Sequence, residues 1–150
     1  MADPTFSVRP LRMDDKAQWK PLFLGYIAFY KSEVTDDVID CTWDRLMSGA
    51  AGVHRGLVVV DADDKPFGIA HILFHRSTWS TTWYCYLEDL FVDPDQRAKG
   101  AGNALIEAVY AEADTMGATR TYWTTQEFNY RARGLYDQVA TKSPFVQYRR

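Results

Sequence analysis

Residues 92–105 read Val92-Asp93-Pro94-Asp95-Gln96-Arg97-Ala98-Lys99-Gly100-Ala101-Gly102-Asn103-Ala104-Leu105. A β-rich apolar run ends at Val92, Asp93 and Pro94 close it, and a helical apolar pattern begins after the glycines. The stretch is therefore a strand-to-helix turn. A helix N-terminus exposes unpaired backbone N–H groups and a partial positive charge, and glycines let a phosphate approach that backbone with no Cβ in the way. Arg97 and Lys99 add side-chain charge. Two familiar phosphate loops fail on spacing: a Walker loop needs GxxxxGK and then Ser or Thr, but Asn103 follows Gly102, and a dinucleotide GxGxxG needs glycine where Leu105 stands. A bare GxG is also an ordinary tight turn, so its surroundings have to decide.

Upstream of the turn, Thr82 to Val92 reads as a long strand. Phe67 to His75 and Gly56 to Val60 form two more, joined by the polar turn Asp61 to Pro66. Trp19, Leu22, Phe23, Tyr26, Ile27 and Tyr30 recur at three- and four-residue spacing, which predicts a helix from Asp14 to about Lys31. Thr35 caps a second helix running to about Ser48, and Thr5 to Arg9 alternates as an opening strand. Downstream, the spacing predicts a helix from Gly100 to Met116 stopped by Gly117, a strand over Thr119 to Thr125, a helix over Asn129 to Val139 and a final strand over Phe145 to Tyr148. This order implies an α/β (α+β) fold, with a mixed central sheet of about six or seven strands flanked by about four helices. No repeat or linker divides the chain, so residues 1–150 read as one domain.

The composition narrows the partners. A chain of 150 residues, 47% hydrophobic and 15% aromatic, can bury a core without disulfides or a structural metal. A formal net charge of -3 argues against a dedicated nucleic-acid module, whose affinity comes from Lys and Arg meeting phosphates. No leader-like or membrane-spanning apolar run is expected, and Cys41 and Cys85 have no zinc-ligand spacing, so reduced thiols in the cytoplasm follow. His71 and His75 share a strand face, but without a third ligand they point to no metal.

Arg97, Gly100 and Gly102 fill the pattern Arg or Gln, two residues, Gly, one residue, Gly or Ala, directly after Tyr86-Leu87-Glu88-Asp89-Leu90-Phe91-Val92-Asp93-Pro94. The run Asn129-Tyr130-Arg131-Ala132-Arg133-Gly134-Leu135-Tyr136 adds Asn, two residues, Ala, two residues, Leu-Tyr. Together these resemble the acyl-CoA loop, fourth strand and late helix of the GNAT superfamily of N-acetyltransferases. The resemblance covers essentially the whole chain and is nearest to the branch of small polyamine, diamine and histone-tail acetyltransferases. It implies a GNAT-like acyl-CoA N-acyltransferase fold with acetyl-CoA as acyl donor. It further implies that the backbone of Leu90, Phe91 and Val92 pairs with the pantetheine arm. Arg97, Ala98, Lys99, Gly100, Ala101, Gly102 and Asn103 would cradle the pyrophosphate, Asn129 would touch the arm, and Tyr136 would sit near the sulfur. Ala140-Thr141 stands where the family often has Gly and an aromatic residue.

Amine acetylation needs a neutral nitrogen, a stabilised oxyanion and a protonated leaving thiol. Tyr136, with a solution pKa of about 10, suits the acid. Glu88 is the candidate base, acting through water, while strand alternation turns Asp89 to the opposite face; a solvated strand end is the plainer alternative for both. Glu127 is a further candidate. Glu33, Asp37, Asp40 and Asp44 would share a helix face with Asp36 nearby, and with Glu88 and Asp89 they suggest an acceptor wall for a cationic amine. The same acids also describe a solvated helix face. The expected acceptor is a small cationic amine such as a polyamine; the alternatives are a lysine-containing peptide or an amino acid, or a non-catalytic acyl-CoA-binding sensor. A short last strand at a sheet edge, exchanged with a second copy, predicts a homodimer.

Overall fold

The computed structural model describes residues 5–49, 53–96 and 100–150. Its sheet runs β1 (Ser7–Pro10), β2 (His54–Val60), β3 (Pro66–Arg76), β4 (Trp83–Val92) and β5 (Arg120–Tyr122) in spatial order. The first four are antiparallel neighbours, and β5 lies parallel to β4. Parallel neighbours need a long crossover, which α3 (Ala101–Thr115) supplies. The other helices are α1 (Lys16–Phe29), α2 (Asp36–Ser48) and α4 (Tyr130–Val139).

The unbroken apolar run of β2 follows from burial on both faces. Val58, Val60 and Ile69 face one way and meet Trp19, Phe23, Ile39 and Trp43 of α1 and α2. Leu57, Val59, Ala70 and Ile72 face the other way and meet Leu105, Ile106 and Val109 of α3. Helix α1 lies close over β4 because residue 25 has no side chain: a Cβ on Gly25 would come within 3.1 Å of the Phe91 ring.

The entry to α1 is tied to β1 by a buried ion pair. Arg9 grips Asp15 with contacts of 2.8 and 2.9 Å, and Asp15 also accepts the Arg12 backbone N–H at 2.7 Å. Arg9 and Arg12 both extend to Asp64 in the β2–β3 turn. Hydrogen bonds and the guanidinium charge together overcome burial and hold the Asp15 carboxyl below the usual carboxylate range.

Two expectations change. Residues 141–150 form no strand, and Phe145 and Tyr148 are 88% and 93% exposed. Pro144 removes a donor at the start of that run, and a strand exists only where an edge receives it. Helix α2 begins at Asp36, so Glu33 lies ahead of it and shares no helical face with Asp37, Asp40 and Asp44.

Candidate active site

Strand β4 is paired along its whole length with β3, but with β5 only at Tyr84, Cys85 and Tyr86. Strand β5 ends at Tyr122, so beyond Tyr86 the outer edge of β4 has no strand partner among the described residues. An open edge of this kind can accept an extended amide chain as a neighbouring strand. Leu90, Phe91 and Val92 all lie on it, each half-buried. Tyr26 and Tyr30 of α1, Trp123 and Thr124 after β5, and Tyr136 of α4 wall the gap into a narrow, open cleft that also takes in Glu88.

The turn into α3 stands beyond the end of the same strand. Gly100 has φ +89°, a left-handed conformation that glycine adopts without strain. No side chain caps the helix, and its first turn holds no acid, so the backbone N–H groups of Ala101, Gly102 and Asn103 are left for an anion. Gly102 faces Leu135 of α4, which brings the two helices together beside the turn. Arg97, Ala98 and Lys99 lie outside the described residues. The uncapped N–H groups of the described part suit an anion such as a pyrophosphate, and nothing lies within 4 Å of where a Cβ on Gly100 would stand.

Glu88 sits at a β-bulge. The register steps from Ile72 opposite Leu87 to His71 opposite Asp89, so Glu88 is the extra residue in β4. The bulge reverses the alternation: Cys85 and Leu87 face α3, whereas Asp89 faces α1 and bonds His71. Glu88 and Asp89 therefore diverge, Glu88 into the open cleft and Asp89 inward to 15% side-chain exposure. Partial burial, followed by the neighbouring Asp89 charge, raises the Glu88 pKa above the usual carboxylate value.

Tyr136 meets Trp123 edge-to-face at 5.4 Å, and burial pushes its phenol up to about 12, with Tyr30 adding to the effect. Tyr26 donates its hydroxyl to the Glu88 carbonyl at 3.4 Å. Burial, then the charge of Asp89, raises the Tyr26 pKa still further. Asn129 ends α4 at its N-terminal side and turns its amide to the Thr125 hydroxyl at 3.1 Å. Glu127 is exposed in the loop before it.

Glu33, Asp37 and Asp40 stand apart from this cleft. All three are exposed, and Asp40 is answered by Lys16 at 3.7 Å. His75 bonds the Tyr122 hydroxyl at 2.6 Å, and His71 lies between Trp19 and Asp89. Among the described residues no group of three or more His, Cys, Asp or Glu side chains is placed to hold a metal, and no helix is long and apolar enough to cross a membrane.

Residues 15–140 match the family model described as the acetyltransferase (GNAT) family. The chain belongs to this family. It is an acetyl-CoA-dependent N-acetyltransferase, built on the mixed sheet and four helices that the sequence implied. The acetyltransferase is 32% identical over 150 residues to the D-amino-acid N-acetyltransferase HPA3 of Saccharomyces cerevisiae, covering 100% of this chain and 93% of that one. It is 30% identical over 76 residues to the thialysine N-epsilon-acetyltransferase of Caenorhabditis elegans, covering 51% of this chain and 47% of that one. Its fold superposes on the aminoglycoside N-acetyltransferase AAC(6')-Iy with a TM-score of 0.83 at 17% identity, over 99% of this chain and 96% of that one.

Of the residues lining the cleft, Glu88, Leu90 and Tyr136 are site candidates on sequence grounds, and Tyr26, Tyr30, Trp123 and Thr124 are not. Tyr26 and Tyr30 belong by spacing to the apolar stripe of α1, and their hydroxyl groups are the signal that this stripe meets something polar. Trp123 and Thr124 look like strand residues until β5 is seen to stop at Tyr122.

Proposed function

We propose that the acetyltransferase acylates the free amine of an amino acid or a similarly small amine, with Glu88 as base and Tyr136 as acid. The observation that carries this reading is that Glu88 and Tyr136, from β4 and α4, line one cleft beside the unpaired edge of β4. An amine arrives largely as ammonium and must lose a proton before it can attack. A carboxylate with a raised pKa accepts that proton, through water, more readily than an ordinary one. The nitrogen then attacks the thioester carbonyl carbon and the carbon–sulfur bond breaks. Tyr136, still protonated with a pKa of about 12, gives its proton to the departing sulfur. A backbone N–H near Phe91 or Val92 stabilises the oxyanion. The Leu90–Val92 edge and Asn129 hold the pantetheine arm, and Arg97, Ala98, Lys99, Gly100, Ala101, Gly102 and Asn103 hold the pyrophosphate.

The acceptor class is supported by the likeness over the whole chain to a D-amino-acid N-acetyltransferase, and over half of it to a thialysine N-epsilon-acetyltransferase. A polyamine is the second reading, favoured by the exposed acids Asp37 and Asp40 on α2 with Glu33 ahead of them. Asp89 supports either amine by adding negative charge below Glu88.

Thiol release from acetyl-CoA, measured with D- and L-amino acids, ornithine, spermidine and a lysine peptide, tests the reading. The highest kcat/KM is expected for an amino acid. Preference for spermidine or the peptide by about tenfold would overturn that acceptor class, and no release with any amine would make the protein an acyl-CoA-binding sensor.

The proposal extends to a cytoplasmic homodimer. Both cysteines are unpaired, as in a reducing compartment. The exposed Phe145, Val146 and Tyr148 and the three-residue β5 suit pairing with a second copy. A monomeric mass at micromolar concentration contradicts it.

A further inference from the structure

The buried polar centre beneath the cleft is a chain of three side chains. Trp19 of α1 donates its indole N–H to His71 Nε2 at 2.9 Å, and His71 is 3% exposed. An indole nitrogen can only donate, so Nε2 is an acceptor and the ring carries its proton on Nδ1. That N–H points at Asp89 Oδ2, 2.8 Å away. The Trp19 and Phe23 rings, with centroids 5.9 and 5.0 Å from that of the imidazole, pack against it and fix its plane. Asp89 directly follows the bulged Glu88. A bulge re-aims its extra side chain, and the direction taken depends on how the flanking residues are anchored.

We propose that His71 is a positioning residue for acetyl transfer. Held by Trp19 as the Nδ1–H tautomer, it pins Asp89 inward and thereby keeps Glu88 directed into the acceptor cleft. The proposal rests on reading Glu88 as the base. It assigns work to two groups that touch neither substrate, Trp19 and His71, on elements brought together only by the fold. Other titratable groups near the imidazole are Glu88 from β4 and His54 from β2, and Tyr26 from α1 lies beside Asp89.

Two variants divide the imidazole's two bonds. His71→Asn keeps a donor near the place of Nδ1, and His71→Gln keeps an acceptor near the place of Nε2. His71→Gln is expected to lower kcat for the amine about tenfold or more, while the KM for acetyl-CoA stays within about twofold. His71→Asn is expected to return kcat to within about threefold of the parent. Equal losses in both variants, or a matching shift in the acetyl-CoA KM, overturn the proposal. Should both variants fold poorly, 15N NMR of the unsubstituted protein decides: a proton on His71 Nδ1 alone supports the proposal, and a proton on Nε2 or on both nitrogens overturns it. Glu88→Gln measured alongside separates the two ideas. If it leaves kcat intact, the base reading falls and the directing of Glu88 falls with it. If it abolishes kcat while Asn and Gln at position 71 behave alike, the positioning role alone falls.

Discussion

Asp15 and Asp89 are both carboxylates withdrawn from solvent, with side-chain exposures of 5% and 15%, and they are held in opposite ways. Asp15 meets a guanidinium, whose two bonds neutralise its charge and rivet β1 to the start of α1. Asp89 meets an imidazole whose other nitrogen is already taken by Trp19, so its partner is a ring N–H donor rather than a fixed cation. The cost of burying Asp15 is offset on the spot. At the open cleft, partial burial raises the pKa of Glu88, and the neighbouring Asp89 carboxylate adds to it. Burial alone does not separate a structural acid from a functional one; the partner does.

The sharpest way to break the comparison is to remove each charge in turn. Asp15→Asn is expected to lower the unfolding free energy by about 2–3 kcal/mol in chemical denaturation, with kcat unchanged wherever the protein remains folded. Asp89→Asn keeps an oxygen for the His71 N–H, so it should cost less than about 1 kcal/mol of stability but lower acceptor kcat/KM about tenfold. Exchanged outcomes would reverse the assignments.

A smaller effect concerns pH. The Asp15 carboxyl is held low, so its stabilisation is complete above the unfolded pKa of about 3.9 and is lost as pH falls through the lower folded value. Glu88 has the opposite sign. Its folded pKa is raised, so stability declines as pH rises through it, and Glu88→Gln should melt slightly higher than the parent at neutral pH. That advantage should vanish below about pH 4, where both forms are neutral. Thermal melts across pH check both signs.

The smallest effect belongs to α2. Asp37→Asn with Asp40→Asn is expected to change the acceptor KM by no more than about twofold, because exposed charges are screened by solvent and salt. A tenfold rise, measured by the same thiol-release assay, would bring α2 into the acceptor site.

Much of this architecture was legible in sequence because its signals are local. Gly49 and Gly117, both at positive φ, mark the ends of α2 and α3, and the turn at Gly100 is marked by the strand that stops before it and the helical pattern after it. The bulge at Glu88 was not legible, since an extra residue in a strand is defined only by its partner. Trp19 and His71 are 52 residues apart, so no periodicity could pair them. The four-residue run at Phe145 has strand composition, but forming a strand depends on an edge outside the run itself.

The central claim is that Glu88 is the base of an N-acetyltransferase. It is tested most directly by the pH dependence of kcat/KM for one amine in the parent and in Glu88→Gln. Their ratio cancels the ionisation of the amine itself. The account predicts a ratio that rises through a single ionisation above the ordinary glutamate value of about 4.3 and then stays level, because every other titrating group, Tyr136 included, is common to both proteins. A ratio near one at every pH would contradict it.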